Sequence, residues 1–173
     1  MAGMPHHQPL WAADAQTPRY PALKENVHVD AAVVGAGIAG LTSAYLLARE
    51  GLAVAILDDG PVAGGMTQMT SAHLTNMLDD RYFELEKLHG REAARLAAES
   101  HTAAIDRIEA IVREEAIDCD FTRLDGYLFL APGDRKATLD EELAAAHRAG
   151  LRLVKPVARA PYATWDTGPA LLF

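Results

Sequence analysis

The sequence predicts an α/β fold whose first part is a strand, a helix and a second strand. An apolar run over 31–34 is followed by a glycine-rich turn, and a helical stretch then extends from about Ala39 to Glu50 and stops at Gly51. A second apolar run covers 53–57. Two short apolar runs on either side of one helix, within about 30 residues, are typical of the βαβ unit.

Composition limits the classes of function. The chain has 173 residues, of which 50% are hydrophobic and 23% charged, enough for one globular domain with a core. The net charge of -8 and the lack of a basic run argue against nucleic acid as a partner. The single cysteine, Cys119, excludes an internal disulfide and any cysteine-based zinc or iron–sulfur spacing, so no metal site is predicted. No apolar stretch approaches the roughly 20 residues of a membrane span, and a cytoplasmic protein is predicted.

The first 27 residues are polar and rich in proline, which predicts an extended arm. His6 and His7 lie in this arm, where a pair of adjacent histidines is more often solvated than bound to a metal. We expect residues 28–173 to form one ordered domain.

A helical insertion is predicted after the glycine-rich connection over 60–75. One amphipathic helix covers about 79–89 and ends at Gly90, a residue that suits the left-handed position after a helix. A second amphipathic helix follows over about 91–115, with an apolar stripe opposite its charged residues.

The remaining elements are predicted to begin a second sheet. Residues 121–124 and 127–130 suggest a hairpin that turns at Asp125-Gly126, a pair that tolerates a type I′ turn. A helix over about 135–149 and a strand over 151–157 follow. The final apolar run, 170–173, has no polar terminus behind it, so the chain is expected to stop within a structural element.

The turn between the first strand and the first helix fits the pattern GxGxxG at Gly35, Gly37 and Gly40. In the Rossmann-like FAD/NAD(P)-binding unit, the first glycine makes the turn, the second admits a pyrophosphate and the third lets the helix lie close to the sheet. Asp58 ends the second strand, where a carboxylate accepts hydrogen bonds from a ribose and repels a 2′-phosphate. The alternative is a glycine-rich turn that binds nothing. The candidate residues are Gly35, Ala36, Gly37, Ile38, Ala39, Gly40, Asp58 and Asp59. For Asp59, a solvated loop carboxylate is the favoured alternative.

Three segments, 35–44, 52–58 and 63–67, resemble the flavin-dependent oxidoreductases of the D-amino-acid oxidase and glycine oxidase superfamily. Residues 70–75, 125–129 and 166–170 are similar to a bacterial subgroup that often carries a C-terminal Rieske domain. The resemblance implies FAD as the cofactor and oxidation of an amine or amino acid by hydride transfer to the flavin. It also implies a second cofactor-binding segment that consists of Gly65, Met66, Thr67, Thr70, Ser71 and His73. For the hydroxyls and the histidine, ordinary loop side chains are the alternative.

The sequence departs from the subgroup in two ways. The subgroup usually has glutamate where this chain has Asp58, and the later segments that complete the flavin pocket and the Rieske domain do not follow Phe173. We therefore expect residues 28–173 to be the N-terminal part of an FAD-binding oxidoreductase domain whose partner is the missing C-terminal portion of the enzyme. Without that portion, the fragment is expected to bind FAD weakly or not at all. No catalytic residue can be assigned.

Two other functions stay open at this point. An NAD-linked dehydrogenase uses the same glycine turn, but the helical insertion and the second glycine segment argue against it. A non-catalytic fragment or interaction module, whose apolar strands await another chain, is the alternative from a different class.

Overall fold

The computed structural model describes residues 17–173 and divides the chain into two compact units. The first unit ends at His73 and the second covers Leu74–Phe173. Residues 17–27 are exposed and form no helix or strand. The rest of the predicted arm, with His6 and His7, lies outside the described residues.

The first unit contains the predicted βαβ arrangement. Strand β1 (Ala31–Val34), helix α1 (Ile38–Arg49) and strand β2 (Val54–Leu57) follow one another, and the strands are parallel, with Ala31 opposite Val54 and Val34 opposite Leu57. A short helix, α2 (Met66–Met69), comes after β2. The order strand, helix, strand is confirmed, with boundaries within one residue of those expected.

Two helices and three strands form the second unit. Helix α3 (Tyr82–Glu114) is interrupted at Gly90, whose φ of 84° and ψ of 164° are not helical, so the predicted end of one helix and start of another at this residue are confirmed. Strand β3 (Tyr127–Phe129), helix α4 (Lys136–Arg148) and strands β4 (Lys155–Val157) and β5 (Ala170–Leu172) follow. The sheet order is β3-β5-β4, and both pairs are antiparallel.

The predicted hairpin at Asp125-Gly126 is wrong. Residues 121–124 form no strand, and β3 pairs instead with β5, with Leu128 opposite Leu171. Gly126 exchanges two backbone hydrogen bonds with Phe173, of 3.3 and 2.8 Å. An Asp-Gly pair permits a tight turn but does not impose one, and here the apolar run at 170–172 is the better partner for the strand.

The predicted strand over 151–157 is also shorter than expected. Its first half is a turn, in which the backbone N–H of Val154 donates to the carbonyl of Leu151 at 3.3 Å. Only Lys155–Val157 pairs with the sheet. The turn leaves Leu153 exposed and Val154 buried. Both residues are apolar, so the sequence alone does not show which of the two faces the core.

The core of the second unit lies between the helices and the sheet. Half of its buried apolar residues are alanines, whose small side chains allow the helices to approach closely. Its buried apolar members are Tyr82, Ala94, Ala98, Leu128, Leu139, Ala145, Ala146, Ala149, Val154 and Leu171. One carboxylate, Glu142, is buried among them with no exposed surface. Within 17–173, no helix is long and apolar enough to cross a bilayer.

Candidate functional site

The carboxyl ends of β1 and β2 lie side by side, and the chain turns out of β1 at Gly35. The φ of Gly35 is +103°, a conformation that favours glycine, and its backbone N–H donates to the carbonyl of Leu57 at 2.7 Å. This bond continues the pairing of the two strands into the turn. The turn over 35–40 is therefore fixed to the end of the sheet at which α/β proteins bind ligands.

Gly40 is required by a close backbone contact. A Cβ on Gly40 would lie 1.8 Å from the carbonyl oxygen of Gly35 and 3.3 Å from the side chain of Val33. No side chain fits there, so the absence of a Cβ lets α1 start directly above the turn. This geometry is the one that the third glycine of the pattern predicts.

Helix α1 presents backbone donors at this corner. Its first intrahelical bond is from Leu41 N–H to the carbonyl of Gly37 at 2.9 Å, so the N–H groups of Ala39 and Gly40 come before the hydrogen-bonded part of the helix. The first turn contains no acidic side chain. Donors without intrahelical partners, together with the positive end of the helix dipole, favour an anion at this position.

Asp58 contacts the glycine turn directly. Its Oδ2 accepts a hydrogen bond from Ala36 N–H at 2.5 Å, and its Oδ1 accepts one from Gly60 N–H at 2.7 Å. These two bonds, that from Ala36 being the stronger influence, hold the pKa of the carboxyl below its ordinary value of 3.8. An ionised carboxylate thus lies beside the turn and keeps further lone pairs for a sugar hydroxyl.

The second glycine segment reaches the first through Thr67. The hydroxyl of Thr67 accepts a hydrogen bond from Ile38 N–H, the first residue of α1, at 3.0 Å. The same oxygen lies 3.2 Å from the position of a Cβ on Gly37. Gly65, with a φ of +60°, precedes α2 and sets the direction of the short helix that carries Thr67. Thr67 therefore caps α1 from another element, since Gly37 has no side chain to do so.

Other predicted residues show local contacts or exposure. The hydroxyl of Thr70 accepts from Ala72 N–H at 3.3 Å, and that of Ser71 accepts from His73 N–H at 3.4 Å, both typical of hydroxyl turns in loops. Met66 is 83% exposed and Asp59 is also exposed. The structure brings together residues 35–40, Asp58 and Thr67, whereas the described contacts of Thr70, Ser71 and His73 are within their own loop.

Two residues of this corner were not among the candidates named from the sequence, although Ala63 begins the segment 63–67 that carries part of the resemblance. Gly60 donates its N–H to Asp58, and Ala63 donates its N–H to the carbonyl of Ala36 at 2.8 Å. A signal for the first was present, because an aspartate often accepts from the N–H two residues later. The contact of Ala63 joins residues distant along the chain through backbone atoms alone, so no residue type predicts it.

The corner fits the diphosphate of a dinucleotide. Gly37 has no side chain above the start of α1, the nearby helix donors favour negative charge, and Asp58 is placed for a ribose.

Comparison with known proteins gives the family. The family model described as FAD dependent oxidoreductase matches residues 30–172. The chain is 37% identical over 121 residues to YhfW of Bacillus subtilis, whose name describes a Rieske 2Fe-2S iron-sulfur protein, covering 70% of this chain and 24% of that protein. It is 30% identical over 139 residues to gamma-glutamylputrescine oxidoreductase of Escherichia coli, covering 79% of this chain and 32% of that protein.

A third relative, OrdL of Haemophilus influenzae, is named as an oxidoreductase and is 29% identical over 118 residues, covering 68% of this chain and 27% of OrdL. The chain thus spans 24–32% of the length of these curated relatives. No solved structure matches. The extent of the family match shows that the chain belongs to the FAD-dependent oxidoreductase family.

Proposed function

We propose that residues 28–173 are the N-terminal part of a flavoenzyme domain that oxidises an amine or amino acid, and that residues 35–40, Asp58 and Thr67 hold the FAD. The observation that supports this most strongly is the meeting of three separate segments at the carboxyl ends of β1 and β2. Each segment contributes a group that suits a different part of an adenine dinucleotide.

The chain's own residues have distinct tasks in this proposal. The N–H groups at the start of α1 bind the diphosphate, and Gly37 gives it access to the backbone. Asp58 accepts hydrogen bonds from the adenosine ribose. Thr67 joins α2 to the start of α1 by its bond with Ile38 N–H. In this proposal, Gly65 and Met66 would line the part of FAD between the phosphates and the flavin. The bound flavin would supply the hydride acceptor.

The substrate class is proposed from the relatives. One of them is named for gamma-glutamylputrescine, which is an amine, and the chain covers only 32% of that protein. Oxidation therefore belongs to a longer protein in which further chain completes the pocket, and for the 173 residues alone we expect weak FAD binding. The N-terminal segment would supply the adenine side of the site.

The test is an NMR titration of the chain with FAD, ADP and NAD⁺, observing the amides of residues 35–40. We expect ADP and FAD to shift these amides at similar, high concentrations, because the adenine half of the site lies in this segment. Asp58→Asn should weaken the response, and Asp59→Asn, which changes an adjacent exposed carboxylate, is the matched control.

Each alternative function predicts a different outcome. An NAD-linked dehydrogenase predicts clearly tighter binding of NAD⁺ than of FAD. A non-catalytic module predicts no shift in residues 35–40 with any of the three compounds. A chain that stays yellow through gel filtration with stoichiometric flavin would contradict the weak binding proposed for these residues alone.

A further inference from the structure

Helix α3 begins without a capping side chain of its own. The residue before it, Arg81, has a φ of 46° and a ψ of 141° and makes no side-chain cap. Instead, Glu142 of α4 reaches the helix start, and its Oε2 accepts a hydrogen bond from Phe83 N–H at 3.3 Å. A carboxylate at this position matches the unpaired N–H groups and the positive end of the helix dipole.

The second oxygen of this carboxyl has no such role. Glu142 has no exposed surface, and its Oε1 has no hydrogen-bond partner among the described protein atoms. A buried polar atom of this kind is unusual, because native structures almost always satisfy such atoms with protein or with ordered water. The described hydrogen bond from Phe83 N–H satisfies Oε2 alone.

A small cavity lies beside Glu142. Its volume is about 20 Å³, and its wall includes the polar residues Arg81, Asp134 and Thr138 and the apolar chain of β3 around Leu128. A buried water needs roughly 10–15 Å³ and two or more polar partners. The cavity is therefore large enough for one water molecule.

We propose that Glu142, Thr138 and this cavity form a binding site for one water molecule. The water donates a hydrogen bond to Oε1 of Glu142 and forms a second hydrogen bond with the hydroxyl of Thr138. The water completes the cap of α3 by satisfying the half of the carboxyl that the helix does not use. The site links the start of α3 to α4 and is independent of the FAD function proposed above.

The charged groups around the site allow one competing arrangement. Arg81 attracts the carboxylate and lines the cavity, Glu84 of α3 repels it, and Asp134 forms part of the wall. If the guanidinium of Arg81 moved onto Oε1, it would replace the water. Burial raises the pKa of Glu142.

The first experiment is a crystal structure of the full chain at a resolution that shows ordered water. We expect one density peak within hydrogen-bond distance of both Oε1 of Glu142 and the hydroxyl of Thr138. An empty cavity, or one filled by the Arg81 side chain, would overturn the proposal.

A matched pair of variants gives a second readout. Thr138→Val keeps the shape of the side chain but removes the hydroxyl, and Thr138→Ser keeps the hydroxyl. We expect the valine variant to lose the water and to lower the folding equilibrium constant roughly tenfold in urea unfolding, while serine retains the water. Equal unfolding curves and equal density for the two variants would contradict the site.

Discussion

Oδ2 of Asp58 lies 2.5 Å from the backbone nitrogen of Ala36, so the carboxylate that ends β2 holds the turn that ends β1. The same carboxylate accepts from Gly60 N–H. It therefore orders the glycine turn as well as facing the place proposed for a ribose.

We predict that Asp58→Asn speeds hydrogen exchange at the amides of Ala36 and Gly60 several-fold. An asparagine amide accepts through one oxygen only, and its NH₂ group would face one of the two backbone donors. Exchange mass spectrometry or NMR measures the effect. Asp59→Asn should leave both amides unchanged, and equal exchange in the two variants would show that the carboxylate does not order the turn.

The lowered pKa of Asp58 predicts acid sensitivity of the same turn. A carboxyl whose folded pKa is depressed stabilises the fold above its ordinary value of 3.8, and this stabilisation is lost as pH falls through the folded pKa. After correction for the intrinsic pH dependence of exchange, protection of Ala36 N–H should thus decline below about pH 3.8 in the native sequence. The decline should be absent in Asp58→Asn.

We predict that Gly40→Ala destabilises the first unit far more than Gly37→Ala. Alanine is favoured over glycine in a helix by about 1 kcal/mol, yet a Cβ at 1.8 Å from the carbonyl of Gly35 must displace the backbone, at a cost of about 2 kcal/mol or more beyond that gain. At Gly37 the nearest atom is the movable hydroxyl of Thr67, at 3.2 Å. Urea unfolding compares the two, and similar free energies of unfolding would contradict the packing.

Thr67→Val should loosen the start of α1, because Ile38 N–H loses its acceptor. We expect faster exchange of Ile38 N–H and a loss of about 1 kcal/mol in the free energy of unfolding. Thr67→Ser retains the hydroxyl and serves as the control. A valine variant with unchanged exchange at Ile38 would mean that α2 does not cap α1.

Tyr82 predicts loss of stability in alkali. Its side chain is fully buried, and burial together with the negative charge of Glu142 raises its pKa to about 12. For a group whose folded pKa is raised, stabilisation is complete below the ordinary pKa of 10.0 and disappears as pH rises towards 12. Unfolding free energies measured between pH 9 and 12 should fall in the native chain.

Tyr82→Phe should remove that part of the fall, after an initial loss of about 1–2 kcal/mol at pH 7 because the carbonyl of Asn76 loses its donor. Tyr162→Phe changes a side chain that is 60% exposed and serves as the control. If both variants follow the native curve in alkali, Tyr82 does not titrate as described.

The sequence predicted local features better than distant ones. The break at Gly90 and the turn at Gly35 follow from positive φ values that glycine adopts without strain, and the βαβ order follows from the apolar runs. The failed hairpin at Asp125-Gly126 shows the limit. Its turn residues are correct in type, but β3 pairs with a run of residues far along the chain. Packing, and not the local turn residues, decides that pairing.

The same distinction holds in the candidate site. The glycine spacing and the carboxylate at a strand end predicted residues 35–40 and Asp58, because the geometry of the turn requires these residue types. Thr67 came from the resemblance alone, and its bond to Ile38 N–H depends on how the connection after β2 folds back. The buried Glu142 was not predicted, since its position in α4 resembles that of any helix carboxylate.

Strand β5 occupies the centre of the sheet in the second unit, so β3 and β4 hydrogen-bond to it and not to each other. During synthesis, both outer strands leave the ribosome before residues 170–172 do, and neither has its ladder partner until then. Pairing of these three strands must therefore wait until residues 170–172 are translated.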